Sequence, residues 1–407
     1  MEMIVDNGEA VVGDTRLVLV TGLRRGATSW VAGQLRRAEP GTVVVHHDLS
    51  GLAEGIVRRR VRFSEPAGGA AGWLGGGWVD DGGDTVLELA HGCVSCTLRE
   101  DMLPLLRKLI ARPDVRRVVL HLDPGMEPEP VCWALHNALV GDVTITDLAT
   151  VEAVVAVVDQ GDWLAAATGD ETLGLTPDDD RTLAQVAVGQ VEFADAVVVT
   201  GQADGWGAAR AAAVLDRLVP GAPRASTVHG LLSAIPGDAR KGAVADAHAP
   251  LLRGCPPLMP DCGVALTIFE ARRPFHPQRL HRALDVLLDG VVRTRGRIWV
   301  ATQPDVALWL ESAGGGLRVG HAGAWLAAVE DAAWQRATPE RRAKATVEWH
   351  PRWGDRMQEL VILSHDASPG HVVAALRDAL LTDDELARDW HGYQDPFMAM
   401  EPLEDKA

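Results

Sequence analysis

Short apolar runs that lack a polar face recur through the first 235 residues of the chain. They stand at residues 16–21 (RLVLVT), 41–45, 86–89, 117–120, 151–159 and 194–200. A run that is apolar on both faces is typical of a parallel strand buried between helices. Stretches of helical spacing, such as 30–37 and 98–111, separate these runs. The pattern predicts βαβ units and an α/β fold with a mostly parallel sheet flanked by helices.

The pattern changes near residue 235. Residues 236–262 combine Pro, Gly, Ala and His without periodicity, and we interpret them as a linker. Beyond them we predict strands at 263–271, 296–301 and 359–364 and helices at 277–288 and 369–381. The predicted organisation is an α/β domain at 1–235, the linker, and a smaller α+β domain at 263–400 with a mainly antiparallel sheet. A chain of 407 residues supports two domains, because single cores rarely exceed about 250–300 residues.

Composition excludes several classes of protein. The formal net charge of −17 argues against non-specific binding to nucleic acid or to an anionic membrane. Five cysteines are too few and unevenly placed for a disulfide framework, and no apolar run is long enough to cross a bilayer. We therefore expect a cytoplasmic protein without a nucleic-acid or membrane partner. Three cysteines lack a metal-binding context and are expected in the core or linker: Cys132, Cys255 and Cys262.

The turn after the first strand has the sequence TGLRRGATS and is a candidate phosphate loop. Such a loop uses glycines to bring backbone N–H groups to phosphate oxygens, a Lys for the β- and γ-phosphates, and a Ser or Thr for Mg²⁺. This turn is one residue shorter than G-x-x-x-x-G-K-[ST], and Ala27 stands where the Lys belongs. A plain strand-to-helix turn capped by Thr28 is an equal alternative. The candidate residues are Gly22, Arg25, Gly26, Ala27, Thr28 and Ser29.

The run HGCVSCTLRED carries candidate metal ligands. Cys93 and Cys96 stand three apart, with His91 two residues before the first. Two thiolates with an imidazole suit a soft divalent ion such as zinc. A fourth ligand would be water or a carboxylate such as Glu88 or Glu127. The alternative interpretation is a pair of buried thiols beside a strand.

Four landmarks, in chain order, resemble the CobW-like family of P-loop GTPases, which are metallochaperones and cofactor-insertion proteins. Residues 22–29 stand in the place of that family's Walker A loop. Residues 92–101 match its Gly-Cys-x-Cys-Cys-Thr-Leu-Arg-Glu-Asp run, with Ser95 in place of the middle Cys. Residues 125–130 resemble its Gly-Leu-Ala-Asp-Pro-x-Pro loop, and residues 194–204 stand where a strand ends in Asn-Lys-x-Asp. The matching C-terminal runs are 272–277, 293–299, 354–360 and 381–386.

The resemblance implies guanine-nucleotide binding with altered contacts. Asp204 keeps the carboxylate that accepts from guanine, whereas Gly201 and Gln202 replace the Asn and Lys of the family motif. Because the phosphate-loop Lys is also missing, we expect GTP with Mg²⁺ to bind weakly and to be hydrolysed slowly or not at all. Asp48 stands where the family's switch loop begins and is a candidate for holding Mg²⁺ through water. The preceding histidines, His46 and His47, are expected to be exposed.

The implied function is a zinc (or related transition-metal) metallochaperone. Its nucleotide state would gate metal transfer to a client metalloprotein, and the shell of His91, Cys93 and Cys96, incomplete without a middle Cys, suits release of a cargo. One alternative is a non-catalytic zinc buffer or scaffold that has lost GTP. Another is an enzyme of cobalamin or nitrile-metal assembly. The residues do not identify a catalytic group.

Overall fold

The computed structural model describes residues 15–64, 84–88, 94–390 and 392–398. The apolar runs of the first half form an eight-stranded sheet in the order β4-β3-β2-β5-β1-β6-β7-β8. Its strands are β1 Arg16–Thr21, β2 Thr42–Gly51, β3 Ile56–Phe63, β4 Thr85–Glu88, β5 Arg117–His121, β6 Thr150–Asp159, β7 Ala196–Thr200 and β8 Arg224–Ala225.

The six strands from β2 to β8 in that order are parallel, and β3 runs antiparallel to both β2 and β4. The prediction of a mostly parallel sheet is confirmed. Three details differ from the pattern: β2 extends to Gly51, and neither β3 nor the short β8 was predicted. Val57 and Val61 form a buried face on β3. The alternating residues Arg58, Arg60 and Arg62 make the segment look polar in the sequence, so the strand was not recognised.

Seven helices flank this sheet among the described residues. They are α1 Arg25–Ala38, α2 Val94–Thr97, α3 Leu103–Ile110, α4 Pro128–Asn137, α5 Trp163–Thr168, α6 Leu183–Glu192 and α7 Gly205–Leu218. A π-helical turn, Leu98–Met102, joins α2 to α3. The predicted helix at 98–111 therefore begins earlier than expected, inside the cysteine run. Such π-helical turns are frequent at functional sites.

The second half forms a five-stranded sheet in the order β12-β11-β10-β13-β9, with every pairing antiparallel. This confirms the predicted sheet type. The strand predicted at 296–301 lies instead at 291–298, because three arginines in it made the run look polar. The elements are β9 Val264–Ala271, α8 Pro277–Ala283, β10 Val291–Ile298, β11 Val306–Ala313, β12 Gly316–Ala324, α9 Asp331–Arg336, α10 Pro339–Val347, β13 Gln358–His365, α11 Pro369–Ala379 and α12 Asp383–Leu386.

The two halves share a hydrophobic core. Val188 of α6 and Leu215 of α7 belong to the same buried cluster as Leu266 of β9 and Val361 of β13. Leu251, from the segment interpreted as a linker, joins this cluster. That segment therefore packs against both sheets. No helix among the described residues combines the length and apolar character needed to span a membrane.

Ion pairs add to the contact between the halves. Glu192, the last residue of α6, accepts from Arg293 at 3.0 Å and from Arg295 at 2.6 Å. Within the second half, Arg297 pairs with Glu359 and also donates to the Ala247 carbonyl of the segment at 236–262. These arginines lie on β10, between β11 and β13. Their charges are therefore inside the sheet and are compensated by carboxylates.

Candidate functional site

The candidate phosphate loop is a short turn between β1 and α1. Gly22 has a φ of 152°, and a Cβ there would lie 2.5 Å from the Val157 carbonyl oxygen, so close packing against β6 requires glycine. A Cβ on Gly26 would meet nothing within 4 Å. Helix α1 already begins at Arg25, with Arg24 at its N-cap. The turn predicted at 22–29 is therefore shorter, and the unpaired N–H groups of the first helical turn border the open space beside Gly26.

Three neighbouring strands bring an arginine and two carboxylates together at their carboxyl ends. Arg25 follows β1, Asp48 lies near the end of β2, and Asp123 follows β5 by two residues. The Nη1 atom of Arg25 lies 2.7 Å from Asp48 Oδ1, and its Nη2 atom lies 2.8 Å from Asp123 Oδ2. Asp123 is 1% exposed and also accepts from the backbone N–H groups of Leu49 and Gly125.

Sequence reasoning missed Asp123. The available signal was an acidic residue placed directly after a buried strand. It also assigned Asp48 to water-mediated Mg²⁺ binding, whereas the structure gives that carboxylate a guanidinium partner.

The charges of this cluster are mutually stabilised. Partial burial alone would raise the pKa of Asp48, but hydrogen bonds from the Ser50 N–H and from Arg25 outweigh it and lower the pKa to about 2. Burial would lower the pKa of Arg25, and the two carboxylates raise it above its ordinary value. Both groups are therefore charged near neutral pH, and the guanidinium is held between Asp48 and Asp123 by two ion pairs.

Two stacked histidines lie beside the cluster. The rings of His46 and His121 are 4.2 Å apart, and His46 Nδ1 donates to the His121 carbonyl. Burial, together with the positive charges of His46 and Arg25, lowers the pKa of His121 to about 3. His46 is half-buried and His47 is 1% exposed, so the expectation that both histidines are exposed was wrong.

Thr28 lies inside α1 and does not cap it, which corrects the alternative drawn from the sequence. Its side chain is fully buried, and its hydroxyl lies 2.8 Å from His121 Nε2. The next residue, Ser29, is exposed, and Ala27 is half-buried at the first turn of the helix.

The donor groups suit phosphate better than Mg²⁺. The two carboxylates that could face Mg²⁺ already hold Arg25, and the Thr28 hydroxyl is buried against His121. The arrangement therefore does not fit Mg²⁺. Phosphate fits better, because a space of about 770 Å³ opens at the first turn of α1 between Gly26, Pro124 and Asp159. Arg24, the other arginine of the turn, is paired with Asp162.

The candidate base-recognition residues follow β7, at the same edge of the sheet. Gly201 has a φ of 70°, and a Cβ there would overlap the Asp159 carboxylate. Asp204 is exposed and is the N-cap of α7, where Oδ1 accepts from the Gly207 N–H at 2.6 Å. Gln202 is exposed. The fold thus brings the phosphate turn and the Asp204 loop to one side, with Asp159 close to both.

The metal motif is only partly described. His91 and Cys93 lie outside the described residues, and Cys96 is half-buried in α2. Glu127, a candidate fourth ligand, pairs with Arg181 at 3.0 Å, and Glu88 is exposed at the end of β4. In the part of the chain that is described, no three His, Cys, Asp or Glu side chains come together as a metal site. The ligand set remains a prediction.

The last residue of the cysteine run, Asp101, is a buried anchor. Its Oδ2 lies 2.7 Å from His47 Nε2 on β2, and its Oδ1 accepts from Arg59 on β3. In the sequence, Asp101 is simply the last residue of the run that resembles the family motif. Its partners are 54 and 42 residues away in the chain, and no local pattern points to them.

Comparisons with known proteins agree with the two-part architecture. The model of the CobW/HypB/UreG nucleotide-binding domain matches residues 75–224, and that of the cobalamin synthesis protein cobW C-terminal domain matches residues 264–380. The first match begins after the phosphate turn, which is the stretch that departs most from the P-loop pattern.

Two relatives extend this result, and one solved structure aligns with the chain. The zinc chaperone Rv0106 of Mycobacterium tuberculosis is 44% identical over 399 residues, covering 94% of this chain and 92% of that protein. The zinc-regulated GTPase metalloprotein activator 1 of Dictyostelium discoideum is 26% identical over 345 residues, covering 79% of this chain and 72% of that protein. The Zn(II)-bound YjiA GTPase from E. coli aligns over 90% of this chain and 99% of its own, at 14% identity and a TM-score of 0.36. This chain belongs to the CobW family, with a nucleotide-binding domain of the CobW/HypB/UreG type followed by a CobW C-terminal domain.

Proposed function

We propose that this protein is a zinc metallochaperone whose guanine-nucleotide site controls transfer of the metal to a client metalloprotein. The names of the zinc chaperone and the zinc-regulated GTPase activator support the metal and the link to a nucleotide. The observation that carries the proposal is the anchoring of the cysteine-run helix, through Asp101, to the strand that also supplies Asp48 to the phosphate site.

Strand β2 provides the physical link. Successive side chains of a strand point to opposite faces, so Asp48 faces α1 while His47 faces the cysteine run. Asp48 holds Arg25 at 2.7 Å, and His47 holds Asp101 at the same distance. An anion bound by Arg25 would share that side chain with Asp48 and so alter the contact on one face of β2. The other face would pass that change to the helix carrying Cys96.

The chemistry of the cysteine run supports zinc as cargo. Its thiolates and imidazole are soft or borderline donors, which suit Zn²⁺ better than Mg²⁺ or Ca²⁺. Ser95 in place of a third thiol leaves an incomplete shell, and such a shell favours transfer over permanent retention. Cys132, Cys255 and Cys262 are free thiols, as is usual in a reducing compartment such as the cytoplasm.

The nucleotide contacts support binding that is weaker than in a complete P-loop protein. The first turn of α1 suits the phosphates, and the Asp204 carboxylate suits the guanine N–H groups. The missing Lys at position 27 and the glycine at position 201 each remove a contact. A specific observation favours the alternative of a zinc buffer without nucleotide: Asp159 fills the space that an Asn at position 201 would need.

Calorimetric titration of GTP into zinc-loaded and metal-free protein separates these functions. Micromolar binding that differs between the two forms is expected from a nucleotide-controlled chaperone. No heat up to millimolar GTP in either form would favour the zinc buffer. Cys93→Ser and Cys96→Ser should each lower the affinity for zinc, with Cys255→Ser as the control at an exposed cysteine. Unchanged zinc affinity in both would refute the metal assignment.

A further inference from the structure

We propose that Arg25 is a resident cation that stands in for Mg²⁺, so that this protein binds the phosphates of its nucleotide without a metal ion. The proposal rests on the nucleotide binding proposed above. It makes Arg25 the residue that determines metal dependence at this site, and Asp48 and Asp123 the groups that keep it in place.

The position of Arg25 is the first line of support. In P-loop proteins Mg²⁺ lies between the loop and a carboxylate that follows a neighbouring strand. Asp123 follows β5, which pairs directly with β1, and Asp48 comes from β2 on the far side of β5. The two terminal nitrogens of Arg25 lie 2.7 Å and 2.8 Å from these carboxylates. The guanidinium of Arg25 thus lies where Mg²⁺ lies in P-loop proteins, between the loop and these carboxylates.

The burial of Asp123 is the second line of support. A carboxylate that is 1% exposed needs a compensating charge, and here it has Arg25 together with two backbone N–H groups. Mg²⁺ would have to displace a charge-assisted hydrogen bond and also shed some of its own water, which it does reluctantly. Arg25 is part of the chain and has no tightly held hydration shell of the Mg²⁺ type to lose.

The buried hydroxyl of Thr28 is a third and separate observation. This side chain stands where a P-loop protein offers a Ser or Thr oxygen to Mg²⁺, yet it is fully buried and lies 2.8 Å from His121. None of the three groups that would share the metal is therefore free to do so in this arrangement.

Arg25 also retains the capacity to meet an anion. A guanidinium carries five N–H donors, and the two contacts to carboxylates leave others available. The side chain is 43% exposed and borders the open space at the first turn of α1. Phosphate oxygens there would receive donors from both the backbone and Arg25.

The test compares metal dependence in the whole protein. Wild type should bind GTP and pyrophosphate equally in Mg²⁺ and in EDTA, measured by calorimetry. Arg25→Ala and the longer Arg25→Gln should lose at least about tenfold in EDTA and regain affinity in Mg²⁺, since both carboxylates become free for the metal. Arg37→Ala is the control, on the same helix and without an ion pair among the described residues. Thermal unfolding checks that each variant is folded.

Mn²⁺ binding without nucleotide, measured by electron paramagnetic resonance, tests the role of Arg25 separately from nucleotide binding. Binding by the two Arg25 variants but not by wild type or Arg37→Ala is expected. If wild type binds no GTP at all, the nucleotide role fails, and the Mn²⁺ comparison still decides the role of Arg25. A wild-type affinity for GTP that rises about tenfold with Mg²⁺, or equal Mn²⁺ binding by all four proteins, would overturn the proposal.

Discussion

The Nε2 atom of His47 lies 2.7 Å from a carboxylate oxygen of Asp101, and both side chains are almost completely buried. Arg59 donates to the other oxygen of the same carboxylate. A buried carboxylate with two basic partners thus joins the end of the cysteine run to two strands of the eight-stranded sheet, β2 and β3. The same strand, β2, carries Asp48 on its opposite face, one residue away.

Removing this anchor should destabilise the fold. Asp101→Asn keeps the shape of the side chain but takes the negative charge from a buried cluster with Arg59 and His47. Loss of one partner from a buried charge pair costs about 3–5 kcal/mol of the free energy of unfolding. Urea denaturation measures the loss, with the exposed neighbour Glu100→Gln as control. A change of similar size in the control would argue against the anchor.

The coupling between zinc and nucleotide should depend on His47. His47→Gln is expected to shrink the difference in GTP affinity between zinc-loaded and metal-free protein, because the helix of the cysteine run loses its contact with β2. Couplings of this kind amount to about 5- to 150-fold in affinity. Calorimetry on both forms measures it, and His136→Gln on the exposed face of α4 is the control. A difference that survives in His47→Gln would place the coupling elsewhere.

Restoring a lysine in the phosphate turn should strengthen nucleotide binding. Ala27 lies in the first turn of α1 and borders the open space there. Ala27→Lys adds a positive charge beside the phosphates, and a charge-assisted contact of about 1.5–3 kcal/mol corresponds to roughly tenfold or more in affinity. Ala212→Lys, on an exposed face of α7, controls for net charge. An equal gain in both variants would mean that only non-specific charge is at work.

Restoring asparagine at position 201 should not rescue base binding. The backbone there has a φ of 70°, and a Cβ would overlap the Asp159 carboxylate. Gly201→Asn is therefore expected to destabilise the protein and to leave the GTP affinity unchanged or lower. The double variant with Asp159→Gly should recover stability, as measured by thermal unfolding. A stable single variant with improved affinity would contradict the clash.

Acid should destabilise the protein through His121. Its pKa is about 3 in the folded protein against an ordinary value of 6.5, so only the unfolded chain takes up this proton between those pH values. The contribution of His121 to the free energy of unfolding is fully present above about pH 6.5 and is lost as the pH falls towards 3. At pH 5 the loss amounts to about 2 kcal/mol. His121→Gln should show a smaller loss between pH 7.5 and pH 5 in urea titrations. The exposed His229→Gln should behave as wild type.

The sequence alone determined the parallel sheet and the family. Strands β1, β5, β6 and β7 were predictable because they are buried on both faces and so contain almost only apolar residues. The order of the landmarks, with the cysteine run as the most specific, was sufficient for the resemblance. The strands rich in arginine, β3 and β10, were missed or misplaced, because charged side chains that pair with carboxylates look like surface residues in a sequence.

Only the tertiary structure decided what the charged residues do. Arg25 meets Asp48 and Asp123 across 23 and 98 positions of sequence, and the order of β1, β5 and β2 in the sheet brings them together. Asp101 meets His47 in the same way. Such pairings depend on strand order and register, which are set by packing of the whole sheet and leave no local pattern. For that reason the sequence indicated a phosphate turn, but it could not show that Arg25 in this turn is paired with two distant carboxylates.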